Sequence, residues 1–104
     1  MNLSIESLDA YRISVEINHF VAEHTYPQGR AHLKDQGIRA ADSLVLNIAE
    51  GMGRGRQTKA GRNHFRIARG SLLEVYAVAD LLKMGEDLKG KIRVADRLLW
   101  GLIR

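Results

Sequence analysis

The sequence predicts an all-α protein, an antiparallel up-down-up-down four-helix bundle. Three observations carry that expectation. Apolar residues recur at three-to-four spacing in four separate segments, no stretch alternates with the period of two that a half-buried strand needs, and the breaks are short enough to force antiparallel neighbours. The 104 residues fit a single domain, residues 1–104, with one core.

The first helix is expected from about Ser7 to His24, with Leu8, Tyr11, Val15, Asn18 or His19, and Ala22 as its leading stripe and Ile13, Ile17 and Phe20 as a second. Pro27, the only proline, and Gly29 then favour a turn. The second helix runs from about Arg30 to Glu50, with Ile38, Ala41, Val45, Ile48 and Met52 in 3-4-3-4 spacing. Gly51, Gly53 and Gly55 are expected to end it, because glycine takes the left-handed backbone of a helix terminus without strain.

Thr58 is the N-cap candidate of the third helix, whose core face reads Phe65, Ala68, Leu72, Val75 or Tyr76, Ala79 and Leu82 and which reaches about Lys83. Gly85-Glu86-Asp87 makes a break, with Asp87 as the next N-cap candidate. Leu88, Ile92, Ala95, Leu99 and Leu102 then define a fourth helix. Ile67, Leu73, Val78 and Leu81 fall off the core face of helix three, as do Val94, Leu98, Trp100 and Ile103 on helix four. That surplus implies self-association, with Leu73, Leu81, Leu98 and Trp100 as the expected oligomer interface. The competing reading is that scattered exposed apolar residues are ordinary.

Hydrophobic residues make up 45% and charged residues 27%, a globular balance that argues against disorder. The absence of cysteine removes disulfides, thiolate metal sites and cysteine nucleophiles. The segment Met1 to Ala10 lacks the pattern of a secretory signal, and no apolar run nears the ~18 residues of a membrane span, so a soluble, cytoplasmic chain with no membrane contact is expected.

Charge is unevenly placed. Arg54, Arg56, Lys59, Arg62, Arg66 and Arg69 lie between Glu50 and Glu74 with no acid among them, which leaves ten cations against twelve acids elsewhere, a net of −2 outside the block and +6 within it. Lys59, Arg62, Arg66 and Arg69 share one helical stripe at 3-4-3 spacing, and arginine forks suit phosphates. RNA or DNA is therefore the expected partner of these six residues. The alternative is that they pair with acids of a neighbouring helix or subunit, such as Glu50 or Glu74.

Ile38-Arg39-Ala40-Ala41-Asp42-Ser43, then Asn47-Ile48-Ala49-Glu50-Gly51, then Arg66-Ile67-Ala68-Arg69-Gly70-Ser71-Leu72-Leu73-Glu74 form an ordered set of motifs. With Tyr26-Pro27 upstream, they resemble the four-helix-bundle proteins encoded in intervening sequences of bacterial 23S rRNA genes. The motif residues are Arg39, Ser43, Asn47, Glu50, Gly51, Gly70, Ser71 and Glu74. Gly61 stands where the family often has an acid, removing a capping box, and His64 where an aromatic is usual. The resemblance implies a homo-oligomer, commonly a pentamer, without established enzymatic activity or cofactor and with suspected nucleic-acid association. A related bundle accompanies the reverse transcriptase of diversity-generating retroelements, which implies an adaptor holding RNA and a protein partner.

By spacing alone, Arg39, Ser43 and Glu50 share a stripe of helix two with Asn47 beside it, open to three readings: solvated, bridging subunits, or binding a ligand. Gly70 within a helix costs about 1 kcal/mol in propensity, so a close helix approach is expected to compensate it.

Other chemistry is weakly signalled. Gly51-x-Gly53-x-Gly55 follows a helix and lacks the Gly-Lys-Ser/Thr ending of a phosphate loop. Glu16 and His19 form a Glu-x-x-His pair, but a di-iron bundle needs a second pair, so no metal is expected. Arg12 and His19 share a face in a loose Arg-His spacing like that of metal-independent ribonucleases, a distant alternative. The leading expectation is a non-enzymatic, oligomeric, nucleic-acid-binding bundle.

Overall fold

Gly55 and Thr58 decide where the longest pair of helices turns back. In the computed structural model, which describes residues 4–104, Gly55 closes a helix at φ +107° and the Thr58 hydroxyl accepts from the Gly61 N–H at 3.0 Å to open the next. A short 3₁₀ turn, Ser4–Ser7, precedes α1 (Asp9–Glu23), α2 (Ala31–Arg54), α3 (Lys59–Leu81) and α4 (Glu86–Ile103). The expectation about Met1 to Leu3 lies outside the described residues. No helix among those described is long and apolar enough to cross a membrane.

Each consecutive pair runs antiparallel. Asn18 meets Asp42 and Val21 lies beside Gly37; Gly37 lies beside Val78, Ser43 meets Ser71 and Gly51 lies beside Phe65; Asp80 meets Lys89 and Arg69 meets Asp96. α1 also packs on α4, closing the bundle. Pro27 and Gly29, at φ +85°, form the expected turn, with the Arg30 N–H donating to the Pro27 carbonyl at 3.2 Å. Tyr26 donates its hydroxyl to the Val21 carbonyl at 2.8 Å, satisfying a backbone acceptor at the end of α1.

α2 does not stop at Glu50. It continues through Gly51 and Gly53 to Arg54, because Gly51 is helical and buried where α3 crosses closely. The next break also differs from expectation. Lys83, not glycine, takes the left-handed conformation at φ +55°, the Met84 N–H reaches the Ala79 carbonyl at 2.8 Å, and the Lys83 N–H reaches Asp80 at 3.2 Å, a Schellman stop. Gly85, rather than Asp87, is the N-cap of α4, and Asp87 lies in its first turn.

The core follows the expected faces of α3 and α4, with Phe65, Ala68, Leu72, Val75 and Ala79 against Leu88, Ile92, Ala95, Leu99 and Leu102. Val78 and Ile103, expected off that face, are buried as well. On α1 the buried stripe is Ala10, Ser14, Ile17 and Val21, whereas Tyr11 and Val15 of the expected leading stripe are half-buried at the edge toward α2. On α2, Gly37, Ala40, Ala41, Leu44, Ile48 and Gly51 are buried while Ile38, Val45 and Met52 are only half-buried. The core thus sits one residue around from the most regular apolar pattern, where small side chains let the helices approach.

Candidate nucleic-acid interface

The two edges of α3 carry different chemistry. Toward α2, the Asn47 Nδ2 group donates to the Ser43 carbonyl at 2.9 Å and to Ser43 Oγ at 3.1 Å. Its Oδ1 is then left to accept from His64 Nδ1 at 3.0 Å, which places the imidazole proton on Nδ1. Ser71, buried, donates its hydroxyl to Ser43 Oγ at 2.8 Å. Ser43, Asn47 and Ser71 therefore form a neutral chain between helices, a role outside all three sequence readings. His64 was missed as its terminus; the signal was the antiparallel register that sets it opposite Asn47.

The rest of the motif set is dispersed. Gly51 belongs to the tight crossing with Gly61 and Phe65. Arg39 pairs with Asp35 at 3.2 Å and lines an open pocket with Glu74. Gly70 is exposed with open space where a Cβ would stand, so the expected close approach is absent and the near contacts fall to Gly37, Gly51 and Gly61.

The six expected cations do not form one surface. Arg54 points along α2 to Glu50, with Nε 2.9 Å from Oε2, and that hydrogen bond, reinforced by the charge of Arg54, holds the Glu50 carboxyl below the usual carboxylate range. Arg69 lies toward α4, its Nε donating to Asp96 Oδ1 at 2.8 Å and its guanidinium 4.5 Å from the Trp100 ring centre. Arg62 donates to the Gln57 carbonyl at 2.6 Å. Among the described residues, Arg56, Lys59, Arg62 and Arg66 meet no acid.

α4 adds to this edge. Arg56, Gln57 and Arg62 face Gly101, Leu102 and Arg104 across an open cavity of about 400 Å³ at the bundle end. Farther along the same groove a second cavity of about 510 Å³ lies between Leu73, Tyr76, Ile92, Arg93, Asp96 and Arg97. Arg97 and Trp100 share one α4 face at i, i+3, and Arg104, which caps the helix, follows at i+7, so the basic edge of α3 is matched by a basic, aromatic edge at the end of α4.

Of the expected interface residues, Leu73 (47%), Leu81 (60%) and Trp100 (39%) are exposed, but Leu98 is half-buried against the core. They do not make one patch: Leu73 and Trp100 belong to the α3/α4 groove and Leu81 ends α3. Leu46, at 66% the most exposed large apolar residue, lies on α2 in a groove with Tyr11, Val15, His19, Asp42 and Val45. Arg12 is held by Asp9 and does not line that groove, so the Arg12–His19 pair is not assembled into a site. Glu16 is engaged by Lys91 at 2.9 Å rather than by His19.

A model of the 23S rRNA-intervening sequence proteins matches residues 6–91. The chain belongs to that family. No curated protein matches it. The matched stretch of this 23S rRNA-intervening sequence protein contains α1 to α3 and the start of α4, so the six cations expected from the sequence lie inside it, while Arg97, Trp100 and Arg104 lie beyond it.

Proposed function

We propose that this member of the 23S rRNA-intervening sequence family is a non-enzymatic, self-associating helical bundle that binds RNA or DNA through the α3/α4 edge. In this reading it serves as an adaptor for a nucleic-acid-processing partner such as a reverse transcriptase. The observation that carries it is the set Arg56, Lys59, Arg62 and Arg66, which meet no acid among the described residues, with Arg56 and Arg62 facing Arg104 across one cavity and Arg97 of α4 lining the next. Cationic groups with no acidic partner are available to phosphates, and a local excess of positive charge raises polyanion affinity without requiring base recognition.

Titration with RNA and DNA at several salt concentrations tests it. The log–log slope should be about −0.7 to −0.9 per neutralised phosphate. Replacing Arg62 and Arg66 together with glutamine should make that slope shallower. Replacing Lys89 and Lys91 should alter it little, because they are committed to Asp80 and Glu16, each at 2.9 Å. Absence of binding at low salt to single- and double-stranded forms alike would sink the proposal.

The pairs Arg54–Glu50 and Arg69–Asp96 favour a second reading, a structural interaction module whose basic residues are neutralised within its own assembly. On that reading the same double substitution lowers thermal stability or dissociates the oligomer and leaves no binding phenotype. Self-association, with a pentamer as the family's usual form, is supported by the exposure of Leu46 and Leu81, which line neither α3/α4 cavity. Light scattering should return a multiple of the 11.7 kDa chain mass.

A further inference from the structure

We infer that the α3/α4 groove is a site for single-stranded nucleic acid, in which Trp100 stacks a base and the cavity between Arg56, Arg62 and Arg104 seats the neighbouring phosphate. The inference rests on the nucleic-acid reading above and adds the strand form and the residue that reads it. It starts from Trp100, a large aromatic left 39% exposed on the stretch of α4 between the residues that line the two cavities, beside Arg69. Asp96 holds the Arg69 guanidinium at 2.8 Å, and that guanidinium lies 4.5 Å from the indole centre. The ring is therefore supported by a group that is itself anchored, and about two-fifths of the residue stays open to solvent. Support of this kind lowers the ordering cost of a stacking partner.

Phosphate chemistry adjoins it. Arg104 is one helical turn beyond Trp100 on the same face, about 5–6 Å along α4, the scale that separates a nucleotide's base from its phosphate. The cavity beside it, about 400 Å³, places Arg104 with Arg56 and Arg62. Carbonyls at the α4 C-terminus bring about half a negative charge to this end, which three guanidiniums outweigh. Arg97, which meets no acid among the described residues, continues the groove past Trp100 into the second cavity, where Leu73 and Tyr76 supply apolar and aromatic lining and Arg93 is held by Glu86 at 2.8 Å. From Arg93 to Arg104 the groove extends for about 16 Å, the axial length of about five stacked nucleotides.

The geometry selects the strand form. A duplex keeps its bases stacked inside and meets proteins through an element that enters a groove, whereas here the aromatic and the arginines sit in a cleft between two helices. A single strand can enter such a cleft and expose a base face to the indole.

Because the chain has one tryptophan, its fluorescence reports on this site alone. Titration with a ten-nucleotide uridine or thymidine oligomer should quench the fluorescence saturably, in step with binding measured by anisotropy of a labelled strand. A duplex of equal length should bind more weakly and quench little. Trp100→Leu should weaken single-strand binding about ten- to hundred-fold, leave duplex binding unchanged and keep helicity by circular dichroism, while Trp100→Phe should retain most of the affinity. Equal binding of both forms, unquenched tryptophan and a silent Trp100→Leu would overturn the site while the broader nucleic-acid reading survives. No binding of either form overturns both. If Trp100→Leu changes the oligomer mass and not the affinity, the groove belongs to a second copy of the chain and the inference fails.

Discussion

α3 presents two seams built on opposite principles. Toward α2 it offers Gly61, His64, Ser71 and Val78, and the partner side is Gly37, Ser43, Asn47 and Gly51. The backbones come so close that a Cβ on Gly61 would stand 2.0 Å from the Gly55 carbonyl oxygen, and one on Gly51 would stand 2.5 Å from the Phe65 ring. Polar groups in that seam are neutral and satisfy one another. Toward α4 the same helix offers Arg62, Arg66, Arg69, Leu73 and Tyr76, long side chains that leave two open cavities between the helices. Small residues bury their surface against the neighbouring helix, whereas long charged ones keep theirs in water, so the first seam holds the fold and the second remains open to solvent.

The strongest way to break this comparison is to add a methyl group to the tight seam. Gly61→Ala places a Cβ against backbone oxygen atoms of Gly55 and Gly51 that no side-chain rotation can move. Overpacking in a rigid site costs about 1–3 kcal/mol, and a backbone clash belongs at or beyond the upper end. Urea unfolding should show that loss or a protein that fails to fold. Arg66→Gln, on the open seam, should stay within about 0.5 kcal/mol of the parent. If Gly61→Ala is tolerated, the α2/α3 crossing is looser than described.

The contrast between the seams also explains what could be read from the sequence. The core faces of α3 and α4 were legible because large apolar side chains fill them, and Phe65, Leu72, Leu88 and Leu99 are all fully buried. On α1 and α2 many of the buried positions, Ala10, Ser14, Gly37, Ala40 and Gly51 among them, carry little hydrophobic signal, so the eye follows Tyr11, Val15 and Val45 to the rim instead. The basic block was legible because its residues are neighbours in sequence. Arg97 and Arg104 were not, since only the antiparallel return of α4 carries them alongside residues some 20–50 positions earlier. Glu50, four residues before Arg54, was within reach of the sequence as a partner, whereas Asp96, the partner of Arg69, is remote in the chain.

A smaller effect of opposite sign sharpens the comparison. Gly70 lies in the middle of α3 yet belongs to neither tight contact, and nothing stands within 4 Å of where its Cβ would be. Gly70→Ala should therefore stabilise the chain by about 0.5–1 kcal/mol, the usual gain from removing glycine's unfolded-state entropy at an exposed helical position. A rise in melting temperature with unchanged mass by light scattering is the expected result. A loss of mass on the same substitution would place a second copy of the chain against this part of α3.

The smallest expected effects come from two exposed ion pairs, one for each seam. Glu50 on α2 is paired with Arg54, and Glu86 at the start of α4 is paired with Arg93 at 2.8 Å. In both cases the arginine's hydrogen bond, then its charge, lowers the carboxyl pKa below its usual value. A lowered folded-state pKa means that the unfolded chain binds the proton more readily, so each pair contributes stability that is fully present above the ordinary carboxylate pKa. That contribution is lost as pH falls through the lower folded-state value. Both pairs are solvent-exposed and screened by salt, which keeps the effect slight. Melting curves of Glu50→Gln and Glu86→Gln should show the lowest shifts of the series near pH 7, converging on the parent as the solution is acidified below the carboxylate range. Added salt should shrink the neutral-pH shifts in the same way. A Glu50→Gln shift that persists at low pH and high salt would mean that Glu50 supports the α2/α3 crossing through packing rather than through charge, and would make the tight seam less neutral than its Ser43, Asn47 and Ser71 chain implies.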